Sequence, residues 1–498
     1  MNSAKFILSP SILLSLACAL IAGELISGTN LYFVSMVTIA FVSACLTYNL
    51  LGGLGTMSGI AFSRFALSTF IIAQFGKVIL FEPADKNLDV PNLTITVYAI
   101  YFLSLMLGTF VFFRLRIRLP KPIEPITTTQ SRYLYVIALI AGLVGVVGWT
   151  VIAHRGGAGS QDTMAHSYLR ALQYFLPFSL VLAVDERITA TDGRHSVGWR
   201  VGFPALTMLL EGFLTGSRGD FAEPFLIVFL TCSLRGYRFR VKHLVASIGL
   251  LVVFFLFVSP FYLYSRDYRV QPTLRQQFST MVRLLESAPA QWSSIVNSLA
   301  EKELGGAGLV NYFDQSWALT LNRFALIGPD STLIDACSQN YHYGFTSIEM
   351  DFLTGAPRFL VKNKPDYGSQ PFLGHLDGQE SDEILTSHST ITAISDSFGA
   401  FGFLGVMVFA FFIPPLIFVV YESIFDMRRP WGTVAAVLLL ISFTEGSMGD
   451  QIVTTMIRQP IYLVVISLGA GWMFRTISAG GDRSRSFRLG DRPSRAES

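Results

Sequence analysis

Runs of about twenty apolar residues, joined by short polar connections, dominate this chain. A helix crossing the ~30 Å hydrocarbon core of a bilayer needs roughly that length, so each run predicts one membrane span. Twelve are read, at 6–26, 31–50, 60–81, 93–113, 133–153, 169–185, 199–215, 220–234, 244–264, 398–421, 431–446 and 455–475. The pattern breaks once, over 266–389, where a long hydrophilic insert parts the first nine spans from the last three. The expected fold is therefore all-α: residues 1–264 as an N-terminal membrane block, 265–389 as the insert, 390–477 as a C-terminal membrane block, and 478–498 as a disordered basic tail.

The insert has a pattern of its own. Leu274, Phe278, Met281, Val282 and Leu285 recur at helical spacing, as do Trp292, Ile295, Val296 and Leu299. A third helical run, 313–327, is expected to stop at Gly328 and Pro329. The stretch 355–379 is rich in Gly, Pro and charge and predicts irregular structure. The first apolar run has only Lys5 ahead of it and no A-x-A site behind it, so it is expected to stay as an uncleaved helix.

Composition agrees with this class. The 498 residues are 51% hydrophobic and only 14% charged, against about a quarter charged in soluble domains. The net charge of +3 matters through its placement. Basic residues gather in alternate connections: Arg114, Arg116, Arg118, Lys121 and Arg132; Arg187, Arg194 and Arg200; Arg235, Arg238, Arg240 and Lys242; Arg428 and Arg429; and the tail. By the positive-inside rule both termini are cytoplasmic and the insert faces outward. Cys18, Cys45 and Cys232 fall in apolar runs and Cys337 stands alone in the insert, so no disulfide framework is implied. His342, His375 and His388 are too widely spaced for a metal motif; no metal, cofactor or nucleic-acid partner is expected. Arg64, Lys77, Glu24 and Glu445 sit near span ends, where they are expected to act as snorkelling anchors.

Three places carry candidate chemistry. The first is the tight turn Thr215-Gly216-Ser217-Arg218-Gly219-Asp220. Its guanidinium and the free N–H groups opening the next helix suit a phosphate, although an arginine there can also simply touch lipid headgroups. Glu211 and Glu223 flank it, with Arg218 the nearest cation in sequence. The second is the insert's exit, Ser387-His388-Ser389-Thr390, leading into Asp396-Ser397-Phe398-Gly399 and on to Gly402 and Gly405. His388 can accept a proton from a hydroxyl near neutral pH; equally, Ser387 or Ser389 can cap the following helix. Asp396 can orient a substrate or His388, or can act as a cap. The glycines predict close helix packing. The third is Ala356-Pro357-Arg358-Phe359-Leu360-Val361-Lys362-Asn363-Lys364-Pro365, a proline-bounded cationic piece, with Arg323, Arg266 and Arg269 adding to the same outward surface. Trp292, Tyr312, Trp317, Tyr341 and Tyr343 suit stacking on sugar rings or the insert's own core.

In this order, the Gly-Ser-Arg-Gly turn, the large insert with Pro357-Arg358 and Lys364-Pro365, and His388 ahead of Phe398-Gly399 and Gly402 resemble the O-antigen polymerases, the Wzy-type oligosaccharide repeat-unit polymerases. The layout is also similar to that of the O-antigen ligases, whose His-Asn pair is departed from here by Ser389. The resemblance implies a metal-independent, multi-spanning glycosyltransferase of the bacterial inner membrane, with its large loop periplasmic. It would join polyprenyl-diphosphate-linked repeat units into O-antigen, capsule or exopolysaccharide, beside a flippase and a chain-length regulator. His388, Arg218 and Asp396 would then be catalytic, while Arg218, Arg358, Arg323 and Lys364 would hold the diphosphate. Rival readings are glycan transfer to an acceptor lipid, a lipid-linked sugar flippase or transporter, and a structural subunit of an export assembly.

Overall fold

The computed structural model describes residues 7–115, 128–155, 175–235 without 216 and 217, 274–305, 325–339, 342–356, 391–425 and 430–464 without 445 and 462, with shorter pieces including 312–314, 369 and 372–373. Among the described residues every regular element is helical. The N-terminal block opens with α1 (Pro10–Ile26), α2 (Leu31–Leu51), α3 (Met57–Leu80) and α4 (Pro91–Arg114). Local chemistry sets these bounds. Ser9, Asn30 and Thr56 each accept a backbone N–H from the first turn of the helix that follows. Proline opens α1 and α4, where its missing N–H costs nothing, and α2 ends on Gly52 at φ +93°. Next come α5 (Thr128–Arg155), α6 (Phe175–Ala190), α7 (Trp199–Thr215) and α8 (Arg218–Leu234). The insert supplies α9 (Leu274–Gly305), α10 (Ile327–Ser338) and α11 (Thr346–Gly355). The C-terminal block holds α12 (Ala393–Ile424), α13 (Pro430–Thr444) and a short turn, Met448–Asp450, running into the π-helical Gln451–Arg458.

Four of these stretches, α2 with the turn after it, α3, α4 and α12, are long and apolar enough to cross a membrane; α1 and the apolar parts of α5 and α8 are shorter. Their outward positions are apolar as well: Ile26, Leu31, Leu107, Phe110, Ile140, Val147 and Leu404 are all exposed. An apolar exterior on this scale suits lipid rather than water. Inside lies an aromatic core. Phe65 stands 5.1 Å from Phe443, which stands 5.0 Å from Phe418, and Phe70 packs 5.5 Å from Phe102. α4 and α12 touch at Gly108, where a Cβ would come within 2.1 Å of the Phe411 carbonyl oxygen, so only glycine permits the approach.

Hydrogen bonds sort the connections into two ends. At one end the Ala84 N–H donates to Thr29, that of Asn30 donates to Asp85, and the Tyr32 and Thr96 hydroxyls pair at 2.8 Å. At the other, Asn49 pairs with the backbone of Leu8, and the Ser58 N–H donates to Glu422 at 3.0 Å. The hydrogen bonds of Tyr312, Asp330 and Ser331 to the N-terminal block are made toward the first end, while the Leu326 N–H approaches the Ser68 carbonyl further along α3. The insert therefore caps one end of the helical body.

Several expectations are corrected. The two helical patterns at 274–285 and 292–299 belong to one continuous helix, α9, which runs through Pro289. Gly328 and Pro329 do not stop a helix: they lie in the first turn of α10, where a proline needs no N–H partner, while 313 and 314 form a bend. Residues 315–324, most of 244–264 and 465–475 lie outside the described residues. Lys77 does not snorkel; it is 0% exposed and its Nζ donates to Glu82 at 2.9 Å.

The span expected at 398–421 is also interrupted. Phe401 (φ −143°) and Gly402 (φ +62°, ψ −149°) leave helical geometry. Residues eight apart in a straight helix lie about 12 Å apart, yet a Cβ on Gly405 would be 2.2 Å from the Ser397 carbonyl oxygen. The chain folds back sharply here, so 393–400 is a short buried helix and 403–424 the stretch long enough to span. The glycines expected to admit another helix serve this turn instead: Gly402 supplies the backbone conformation, Gly405 admits the chain's own preceding segment, and Gly399 lies against the Tyr343 ring.

Candidate active site

The insert returns to the membrane block through α10, and a buried carboxylate fixes that junction. Just ahead of α10, the Leu326 N–H approaches the Ser68 carbonyl at 3.5 Å. Ser68 lies in a π-helical turn of α3, Leu67–Ile71, a geometry that disturbs the regular carbonyl ladder. One turn into α10, Asp330 is fully buried and accepts four donors: the Tyr98 hydroxyl of α4 at 2.5 Å, the Thr392 N–H at 3.0 Å, the Thr392 hydroxyl at 2.5 Å and the Ser395 hydroxyl at 2.5 Å. Burial pushes its carboxyl above the usual carboxylate range, with the donors from Ser395, Thr392 and Tyr98 acting the other way. Next to it, Ser331 accepts the Asp89 N–H and pairs with Thr94. The cap of α12 is thus Thr392, whose hydroxyl accepts the Ile394 N–H, and not Asp396.

Asp396 faces a second junction. Its Oδ1 accepts the Tyr343 hydroxyl at 2.6 Å and its Oδ2 the Met448 N–H at 2.6 Å, and the side chain is 0% exposed. Residue 447, one step away, serves another acid: the Ser447 and Ser369 hydroxyls both donate to Asp351 Oδ2, at 2.8 and 2.7 Å, and the Ser369 N–H donates to its Oδ1 at 2.8 Å. Gly449 is required by this approach, since a Cβ would meet Asp351 Oδ2 at 2.5 Å. The turn 447–448 therefore ties α11 and α12 through two adjacent carboxylates. Beside it the backbone of 343–344 donates to the carbonyls of Gly399 and Ala400, and exposed His342 sets Nδ1 3.3 Å from the Gly399 carbonyl.

Of the residues expected to be catalytic or to hold the diphosphate, Asp396 alone has its side chain among those described. Arg218 opens α8, but its side chain lies outside the described residues, as do Arg323, Arg358, Lys364 and His388 entirely. Their nearest described neighbours in sequence are informative. Thr392, four residues after His388, bonds to Asp330; Ala325, two after Arg323, is buried beside α10; Ala356, two before Arg358, closes α11. These described neighbours lie just ahead of α10, at the end of α11 and at the cap of α12. Glu211 finds Gln173 as a partner, at 2.9 Å. Tyr312 and Tyr343 are buried where the insert meets the membrane block, their hydroxyls donating to the Ala84 carbonyl and to Asp396, and Trp292 packs on Phe257 at 5.5 Å.

Asp330, Asp351 and Ser447 were not legible as a site. Their partners lie 62 and 96 positions away, and only the placement of an acid in the first turn of a short helix hints at Asp330. In each of these acids both carboxylate oxygens already accept a hydrogen bond, so the groups are suited to holding backbone and hydroxyls in place. No protein family, curated protein or solved structure matches this chain.

Proposed function

We propose that this protein is a membrane-embedded glycosyltransferase that polymerises polyprenyl-diphosphate-linked oligosaccharide repeat units at the outer face of a bacterial inner membrane. The observation that carries the reading is the capping of one end of an apolar helical body by the polar insert, anchored through the Tyr98–Asp330, Ser447–Asp351 and Tyr343–Asp396 bonds. A lipid-linked sugar has the same division, with an apolar tail for the bilayer and a charged, hydroxylated head at its edge.

In this reading a sugar hydroxyl of one repeat unit attacks C1 of the glycan on a second carrier. The new C1–O bond forms as the C1–O bond to the diphosphate breaks. His388 takes the hydroxyl's proton, and Arg218, with Arg358, Arg323 and Lys364, holds the departing diphosphate as its negative charge grows. Asp396 acts as a positioning residue, fixing Tyr343 and the start of α12. Membrane lipid surrounds the body, and a flippase and chain-length regulator act beside it.

A second reading, movement of the lipid-linked sugar across the membrane, draws on the break at Phe401–Gly402, since interrupted helices are common in transporters. One experiment separates the two. The purified protein in nanodiscs is supplied with polyprenyl-diphosphate-linked repeat units and the products are resolved by length. Polymerisation gives a ladder that Arg218→Ala and His388→Ala each reduce by about 100-fold or more, on the scale of lost general-base or charge stabilisation. No ladder, with carrier lipid moved across vesicles, selects transport.

A further inference from the structure

We propose that Glu24, Gln74 and Asp85 form a binding site for a small monovalent cation of the sodium class, covered by Tyr312 of the insert. Glu24, in the last turn of α1, is only 1% exposed, and among the described residues neither of its carboxylate oxygens has a hydrogen-bond partner. Gln74 of α3 is fully buried, and neither of its amide atoms has a well-aligned partner among them. α1 and α3 meet here closely enough that a Cβ on Gly23 would be 2.2 Å from Val78, one turn along from Gln74.

Tyr312 joins these groups. It is fully buried, its hydroxyl donates to the Ala84 carbonyl at 2.7 Å, Glu24, Asp85 and Glu82 act on it electrostatically, and the Gln74 side chain lies within hydrogen-bonding reach of it. The adjacent cation is already committed: Lys77 Nζ holds Glu82 Oε2 at 2.9 Å and lies 4.6 Å from the Tyr312 ring centre. The charged group acting on Glu24 is instead Asp85, a second carboxylate. Asp85 is half-buried and accepts the Asn30 N–H at 3.2 Å.

A buried carboxylate without a counter-charge is strongly destabilising, and two carboxylates with an amide oxygen are ligands for a hard cation. Among the described residues no three His, Cys, Asp or Glu side chains come together as a metal site. That ligand set favours a singly charged ion that keeps part of its water. Because Tyr312 belongs to the insert, an ion at this site also favours the docked insert.

The test uses full-length protein in nanodiscs, with sodium chloride replacing choline chloride at constant ionic strength. The expected result is saturable binding of about one radioactive sodium per chain, with a rise in unfolding temperature of roughly 2–5 °C at a hundredfold excess over Kd. Glu24→Gln, neutral and nearly the same shape, should weaken binding at least tenfold and abolish the thermal response, while unfolding in choline no earlier than wild type. Gln74→Leu, which keeps the carboxylate, should weaken binding as well and decides the matter if Glu24→Gln fails to fold. Wild type that binds no sodium overturns the proposal, as does a Glu24→Gln protein that binds it equally. A carboxylic-acid infrared band lost in Glu24→Gln would place a proton where the cation is proposed, and likewise overturns it.

Discussion

Two of the buried polar points where the insert meets the membrane block follow opposite rules. At Asp330 four donors converge on one carboxylate and both its oxygens are occupied. Around Tyr312 the acceptors outnumber the donors: Lys77 holds one oxygen of Glu82, whose other oxygen, with both oxygens of Glu24, is left over among the described residues. A satisfied network fixes a single arrangement. An unsatisfied one has capacity to spare, and so can respond to something bound. The first point therefore behaves as a rivet and the second as a latch.

The rivet should show the larger effect when cut. Asp330→Ala removes the acceptor of the Tyr98 and Thr392 hydroxyls and the Thr392 N–H together, and leaves the Ser395 hydroxyl only the longer bond to the Thr392 carbonyl at 3.3 Å. At about 1–3 kcal/mol for each buried group left unpaired, the loss is of the order of 4 kcal/mol or more, and the yield of folded protein should collapse. Asp330→Asn keeps one acceptor oxygen, and the hydroxyls can rotate to accept from its amide, so its loss should be half as large or less. Thermal unfolding of both variants in detergent measures the contrast. Equal losses would show that charge, rather than the count of donors, holds the junction.

The latch makes the next claim. Lys77→Met removes the partner of a buried carboxylate and should cost about 3–5 kcal/mol. The double variant Lys77→Met with Glu82→Met takes away both charges and should recover most of that, because an apolar pair of similar volume is often as stable as a buried ion pair. Unfolding of wild type, both single variants and the double variant gives the coupling. A double variant as unstable as the sum of the singles would contradict the electrostatic account.

The two points also differ in how far the sequence revealed them. Lys77 and Glu82 stand five positions apart, so their pairing was open to a reader who set aside the anchor interpretation. Asp330 and Thr392 are brought together only by the path of the insert. Helix limits were legible where an apolar run meets its own cap, as at 31–50 against Leu31–Leu51 between Asn30 and Gly52, and 199–215 was likewise expected against Trp199–Thr215. They were misjudged where a residue type has two uses. Pro329 stops a helix in one context and starts one in another, and Gly402 was assigned to packing when its positive φ makes a break. Of the candidate site, Asp396 was singled out in the sequence but its pairings were not, because Tyr343 and Met448 reach it from 53 and 52 positions away on separate elements.

The smallest effect belongs to the rim of the latch. Lys86 Nζ holds Asp314 Oδ2 at 2.7 Å, and the Asn87 amide holds Oδ1 at 2.8 Å. Both charged side chains are largely in water, so the pair should contribute little and lose most of that in high salt. The hydrogen bonds from Asn87 and Lys86 hold the Asp314 carboxyl below the usual carboxylate range. A carboxyl whose folded pKa is lowered adds stability above its unfolded pKa of about 4, and that stability is lost as pH falls through the folded value. Lys86→Ala should therefore lower the unfolding temperature slightly at neutral pH and low salt, with the difference shrinking in about 1 M salt and again below about pH 3. A difference that persists in both conditions would mean that Lys86 acts through its aliphatic stem rather than its charge, and the rim would then belong with the packed core instead of the electrostatic latch.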